Sequence, residues 1–159
     1  MGDAACYNVA DMKAKTSANK KAAKTKRARV PEGMEVRRSV AGLGLFATRP
    51  YKKGEAVIEY VGREISEEEA YSSKSKYLFE ITKKRTVDGK PKWNIAGYIN
   101  HSCRPNCEPE IRKGRIFIEA RRAIKPGEEF TYDYGKEYWK EHCQPCRCEK
   151  CIEPVSKIT

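Results

Sequence analysis

No stretch of this 159-residue sequence is apolar for long enough to cross a membrane. No basic start runs into an apolar segment, so a secretory signal is not expected either. The chain opens Met1-Gly2, but Cys6 stands where the myristoylation pattern needs Ser or Thr. Internal repeats and coiled-coil heptads are absent. The Gly42-Leu43-Gly44 pair lacks the spacing of a P-loop or of a dinucleotide fingerprint. Residue order alone supports no Ser/Asp/His or Cys/His triad. These absences leave the expectation of a soluble, intracellular chain with no membrane partner. Its length suits one domain plus a tail.

The charge is uneven. Residues 1–30 hold eight Lys and Arg against Asp3 and Asp11, so they carry +6 of the formal +11. That stretch is rich in Ala, Lys and Thr and poor in large apolar residues. It cannot bury enough surface to offset its ordering entropy, and disorder is expected. Contact with nucleic acid, recognition as an import signal, and simple solubilisation all remain open for it.

Beyond the tail, short β-like runs alternate with turn signals. Glu35-Val36-Arg37-Arg38, Leu45-Phe46-Ala47, 56–61, 77–82, 115–120 and 129–134 read as strands. Asp88-Gly89 reads as a hairpin-type turn. Ser66-Glu67-Glu68-Glu69 has the form of a capping box opening a short helix. Many short strands and little helix predict a mainly β domain.

Four constellations carry chemistry. Cys143, Cys146, Cys148 and Cys151 fall within nine residues. In a reducing compartment, thiolates so spaced can converge on one zinc ion. The tight Cys146-x-Cys148 loop leaves room for the upstream Cys103 to share such a site. Asn100-His101-Ser102-Cys103 is polar and turn-like; on spacing alone His101 could be a base, a ligand or a structural histidine, the last being the usual state of a lone histidine. Tyr132 and Tyr134 lie two apart and point to one face of a strand. With Tyr60 and Tyr77 they could line a pocket. The glycines at 42 and 44 would let backbone approach a ligand closely.

Together these segments resemble the SET-domain methyltransferase family in a minimal form with a post-SET segment. The resemblance runs from about Met34 to Ile152. It is carried by 42–47, by Glu59-Tyr60-Val61-Gly62, by Tyr77-Leu78-Phe79, by Val87-Asp88-Gly89 and, most specifically, by two motifs. These are Ile99-Asn100-His101-Ser102-Cys103 with Pro105-Asn106, and the run 127–135. Cys146-x-Cys148-x2-Cys151 adds the post-SET pattern.

The resemblance implies small β-sheets with a C-terminal pseudoknot, few short helices and a zinc-bound post-SET segment. The expected divisions are a tail at 1–32, a SET domain at 33–135 and a zinc-binding segment with the C-terminus at 136–159. It implies transfer of a methyl group from S-adenosylmethionine to a lysine of a histone or other basic protein. Tyr134 would be catalytic, and Tyr60, Tyr77 and Tyr132 would line the lysine channel. Ala41, Gly42, Leu43, Tyr77, Asn100, His101 and Tyr134 would meet the cofactor. Cys103, Cys146, Cys148 and Cys151 would bind zinc, with Cys143 an extra candidate. A tyrosine at 132 implies chiefly mono-methylation. The expected location is the nucleus in a eukaryote and the cytoplasm in a bacterium. Gly97 departs from the pattern, since an arginine is common there and the resemblance gives it a cofactor contact. A SET-like binding module without turnover is the competing reading, and automethylation of the histone-like tail is a further one.

Overall fold

The computed structural model describes residues 29–152. The basic tail therefore lies outside the described residues, apart from its last two positions. Among the described residues ten short strands form four small sheets, with three short α-helices and one 3-10 turn, Ile95–Tyr98, between and after them. β1 (Met34–Ser39) pairs antiparallel with β2 (Gly42–Ala47). β3 (Ala56–Tyr60), β9 (Arg115–Ala120) and β8 (Cys107–Arg112) form a second sheet in that order. β4 (Arg63–Ile65), β6 (Arg85–Asp88) and β5 (Leu78–Thr82) form a third. The fourth is a parallel pair of two-residue strands, β7 (Asn100–His101) and β10 (Thr131–Tyr132). α1 is Glu67–Ser72, α2 Lys136–His142 and α3 Glu149–Ile152. The expected mainly β class holds.

The core explains why such small sheets cohere. Leu45 on β2, Ile116 and Ile118 on β9, Ile99, Ile124 and Phe130 are all buried to 1% exposure or less. Each contributes about 1.5–3 kcal/mol by leaving water. They come from segments far apart in sequence, so burial joins the sheets into one body. α1 buries nothing. It is held by its capping box, in which Ser66 Oγ accepts from Glu69 N–H and Glu69 accepts from Ser66 N–H, both at 3.2 Å.

Residues 128–132 run between two other segments. On one side Ala47 N–H donates to Glu128 and Phe130 N–H donates to Leu45, tying them to β2. On the other they form β10 against β7. This is the crossing that the expected pseudoknot requires. Asn106, buried, pins it: its amide donates to Glu129 O at 2.8 Å and accepts from Thr131 N–H at 2.9 Å.

The Asp88-Gly89 turn is a correction. The hairpin between β5 and β6 turns at Lys83-Lys84 instead. Gly89 follows β6 and is needed for space, since a Cβ there would collide with the Tyr60 hydroxyl and the Asn94 amide. β8 was not expected either. It contains Pro109, which an edge strand tolerates, and β8 is the edge of its sheet.

Candidate active site and metal centre

Two cavities lie on either side of the β7·β10 pair. The first, about 220 Å³, is walled by Tyr60, Tyr77, Tyr132, Tyr134 and Tyr138, with Ile99 and Gly97 beside them. The second, about 730 Å³, is lined by Ala41, Asn100, His101, Thr131 and Glu129, with Arg38, Arg104 and Arg122 among its neighbours. On β10 the two residues divide, Thr131 lining the second cavity and Tyr132 the first, as the period of two in a strand produces. On the other side of the pair Ile99 lines the first cavity, while Asn100 and His101 both line the second.

In the first cavity, Tyr132 and Tyr134 have ring centroids 4.9 Å apart. The Tyr134 hydroxyl donates to Ile99 O at 2.6 Å, which fixes the ring and leaves its oxygen lone pairs available. The Tyr60 hydroxyl donates to Tyr77 O at 2.9 Å. Burial pushes the phenol pKa values of Tyr60, Tyr132 and Tyr134 well above the usual range, and Tyr138 up to about 12. All four are therefore neutral phenols near pH 7. None can serve there as a phenolate base. Together they offer aromatic faces that attract a cation and hydroxyls that orient it.

Tyr138 was not among the expected residues. It stands on α2, packs edge-on against Tyr134 at 5.2 Å, donates to Lys76 O at 2.9 Å and has His142 4.6 Å away. A signal for it existed. Tyr134, Tyr138 and His142 are spaced by four, which puts the last two on one helical face over the strand end.

In the second cavity, Asn100 is buried, and its amide nitrogen donates to Leu43 O at 3.1 Å and to Glu129 Oε1 at 2.7 Å. Its oxygen is buried with no hydrogen-bond partner. Such an orphaned acceptor fits a ligand carrying a donor, such as an amino group. Glu129 was not expected as a site residue. It also accepts from Ser39 Oγ at 2.6 Å, and Gly44 makes room for it, since a Cβ there would strike the carboxylate. Of the expected cofactor residues, Ala41, Asn100 and His101 line this cavity; Leu43 does not, and its carbonyl accepts from the Asn100 amide. Gly42 adjoins them at a φ of 101°. Tyr77 and Tyr134 line the tyrosine cavity. Gly97 also belongs to the tyrosine side, while Arg38, Arg104 and Arg122 bring the guanidinium groups to the other.

The sulfurs of Cys103, Cys146, Cys148 and Cys151 all lie within 4.8 Å of one another. Cys103 Sγ is 3.8 Å from the sulfurs of both Cys146 and Cys151. A tetrahedral zinc–thiolate site with bonds of 2.3 Å has sulfurs about 3.8 Å apart, so the spacing fits zinc. Burial and then the neighbouring thiols push the Cys103 pKa well above the ordinary thiol range. At Cys148 burial opposes ionisation, but hydrogen bonds from the backbone of Cys103 and Cys151 outweigh it and bring the thiol to about 7. Four thiolates so crowded need a cation to hold them ionised. Cys143 is fully buried and is not one of these four.

The model of the SET domain family matches residues 42–135. The chain belongs to that family. It is 43% identical over 125 residues to the histone-lysine N-methyltransferase trr of Drosophila melanogaster, covering 70% of this chain and 5% of that protein. It is 37% identical over 125 residues to histone-lysine N-methyltransferase 2D of Homo sapiens, covering 70% of this chain and 2% of that protein. Among solved structures, ctPRC2 in an autoinhibited conformation bound to S-adenosylmethionine matches with a TM-score of 0.58 and 32% identity, covering 67% of this chain and 15% of that one. The chain thus spans only a small part of the length of these curated relatives. Among the described residues, no helix is long and apolar enough to cross a membrane.

Proposed function

We propose that this chain is a protein-lysine N-methyltransferase. It transfers a methyl group from S-adenosylmethionine to a lysine side chain of a histone or other basic protein. The observation that carries this reading is the pair of cavities back to back on β7·β10, one lined with tyrosines and one lined by Asn100, whose side-chain oxygen is buried without a partner. The likeness to histone-lysine methyltransferases and to a structure bound to S-adenosylmethionine supports it.

Bound S-adenosylmethionine would supply an electrophilic methyl group: the lysine nitrogen would bond to that carbon as its bond to sulfur breaks, and neutral S-adenosylhomocysteine would leave. Ala41, Gly42, Leu43, Asn100 and His101 hold the cofactor on one side, with Asn100 Oδ1 receiving its amino group. Tyr60, Tyr77, Tyr132 and Tyr138 wall the lysine channel on the other. A free lysine has a pKa near 10.4, so the amine must lose its proton first. Desolvation in the aromatic channel and the nearby positive charge both disfavour the ammonium. The proton leaves to water before transfer, and no side chain need act as a strong base. Tyr134 is the catalytic tyrosine. Its hydroxyl, anchored on Ile99 O, points its lone pairs at the amine and the methyl group. Orientation supplies much of the remaining rate. Tyr132 makes no hydrogen bond through its hydroxyl among the described residues, so that hydroxyl can hold a water or the amine. It limits the room for methyl groups, and mono-methylation follows.

Zinc held by Cys103, Cys146, Cys148 and Cys151 ties the segment after residue 135 back to the domain. The divisions are then a tail at 1–32, the SET domain at 33–135 and the zinc-binding segment at 136–159. Contact with nucleic acid through residues 1–30, and a nuclear location in a eukaryote, belong to the same reading.

The test is labelled methyl transfer onto histones, comparing wild type with Tyr134→Phe and Tyr132→Phe. Label on lysine should be lost in the first variant, and the second should shift products from mono- to di-methyl. A trimethylated product from wild type would overturn the role given to Tyr132. Cofactor binding without transfer to any protein would favour a binding module instead.

A further inference from the structure

His101 lies on β7 with its side chain only 2% exposed. Its two ring nitrogens face opposite parts of the site. Nδ1 is 3.3 Å from the backbone N–H of Tyr134. Nε2 is 3.4 Å from Cys103 Sγ. A backbone N–H can only donate, so Nδ1 accepts and carries no proton. The ring proton of a neutral imidazole is then on Nε2, aimed at the sulfur. Asp133 Oδ1 lies 3.7 Å from Nδ1, beyond hydrogen-bond reach, and its side chain is 65% exposed. It does not compete for the bond.

We propose that His101 is a positioning residue that wires the cysteine metal centre to the catalytic tyrosine. One imidazole, in its Nε2–H tautomer, donates to the Cys103 thiolate and accepts from the Tyr134 backbone. The proposal rests on the reading above, in which Cys103 binds zinc and Tyr134 meets the reacting atoms. It goes beyond contact of His101 with a cofactor, because it gives the buried ring a separate task. An N–H···S bond draws charge off the thiolate and fixes its direction, as second-shell donors do at metal sites. At its other end the same ring fixes the backbone from which Tyr134 reaches Ile99 O. Loading of the metal is thereby felt at the floor of the lysine channel.

Two substitutions divide the ring. In His101→Gln the amide nitrogen can stand near the position of Nε2, keeping the donor to sulfur. In His101→Asn the amide oxygen can stand near Nδ1, keeping the acceptor for Tyr134. Zinc release to a coloured chelator and the split between kcat and KM are measured on each zinc-loaded chain. His101→Asn should release zinc about tenfold faster than wild type, while His101→Gln holds it. The larger fall in kcat, about tenfold, should belong to His101→Gln. The chain has only two histidines, so ring 15N spectra of the labelled wild type should resolve the Nε2–H tautomer directly. An Nδ1–H tautomer, or two variants that lose zinc and turnover in parallel, would overturn the wiring. A wild-type chain with no zinc or no turnover would sink the underlying reading and this proposal with it. That outcome is seen before any variant is made.

Discussion

Replacing Glu129 with alanine should damage cofactor binding and stability together. The carboxylate accepts from Asn100 at 2.7 Å and from Ser39 at 2.6 Å. It thus joins the end of β1, β7 and the segment entering β10. A hydrogen bond to a charged group contributes about 1.5–3 kcal/mol. Glu129 is half-buried, so the lower value applies to each bond, giving about 3 kcal/mol for the pair. At this chain length, about 3 kcal/mol corresponds to a fall of roughly 9 °C in Tm. Without the carboxylate, the Asn100 amide keeps only Leu43 O as an acceptor. Its oxygen is then no longer held toward the cavity, and a loss of about 1.4 kcal/mol would weaken S-adenosylmethionine tenfold. Differential scanning calorimetry and titration calorimetry measure the two effects. Glu129→Gln keeps one oxygen and should recover most of both. If Glu129→Ala binds and melts like wild type, the carboxylate does not orient Asn100 and the reasoning is wrong.

Three other perturbations follow from the geometry. Gly89→Ala should displace Tyr60, because the new Cβ would collide with its hydroxyl; overpacking of this kind costs about 1–3 kcal/mol and should appear as a lower Tm and a lower kcat. Stripping zinc with a chelator should lower Tm and loosen α2 and α3, with protection of their amides from hydrogen exchange as the readout, and acidification should release the metal as the thiolates protonate. Tyrosine titration followed in the ultraviolet should show Tyr60, Tyr132 and Tyr134 silent at pH 10–11, since burial raises their pKa values. A raised folded pKa means that stability is fully present below the ordinary value of about 10 and is lost as pH rises above it, so these phenols should ionise only with unfolding.

Much of the strand content was legible because it rests on local signals. Ser66 and Glu69 announce a capped helix whatever lies around them, and the Ile116-Phe117-Ile118 run at 115–120 has the β-branched and aromatic content that strands favour. The cysteine spacing similarly pointed to thiols that converge, and Cys103 stands with Cys146, Cys148 and Cys151 within 4.8 Å, a grouping that could hold a metal ion. What was not legible depends on partners distant in sequence. Glu129 looked like the polar first residue of a strand, and only the fold brings Ser39 and Asn100 to it across 90 and 29 residues. Gly89 looked like a turn residue, but its role is to clear space for Tyr60. The His101 side chain had several readings on spacing, and the position of Cys103 and of the Tyr134 backbone decides between them.

The β7·β10 pair raises a physical question, because two residues a side make too small a ladder to hold a shape alone. Yet this pair is the wall between the cavities, and displacement by 1 Å would misalign any transfer across it. Its rigidity must come from outside the ladder. Asn106 holds Glu129 and Thr131 by backbone groups, and Ser102 N–H donates to Tyr132 O at 3.2 Å. Phe130, fully buried between Glu129 and Thr131, anchors the strand from below and packs edge-on against Tyr51 at 5.1 Å. Just beyond β7, Cys103 carries the chain into the cysteine cluster. Each support is a buried polar or apolar contact, and none is a surface ion pair, so salt should alter the geometry of this wall little. A site built this way gains precision from its surroundings, and that is why residues that line neither cavity, such as Phe130, are expected to matter as much as those that line them.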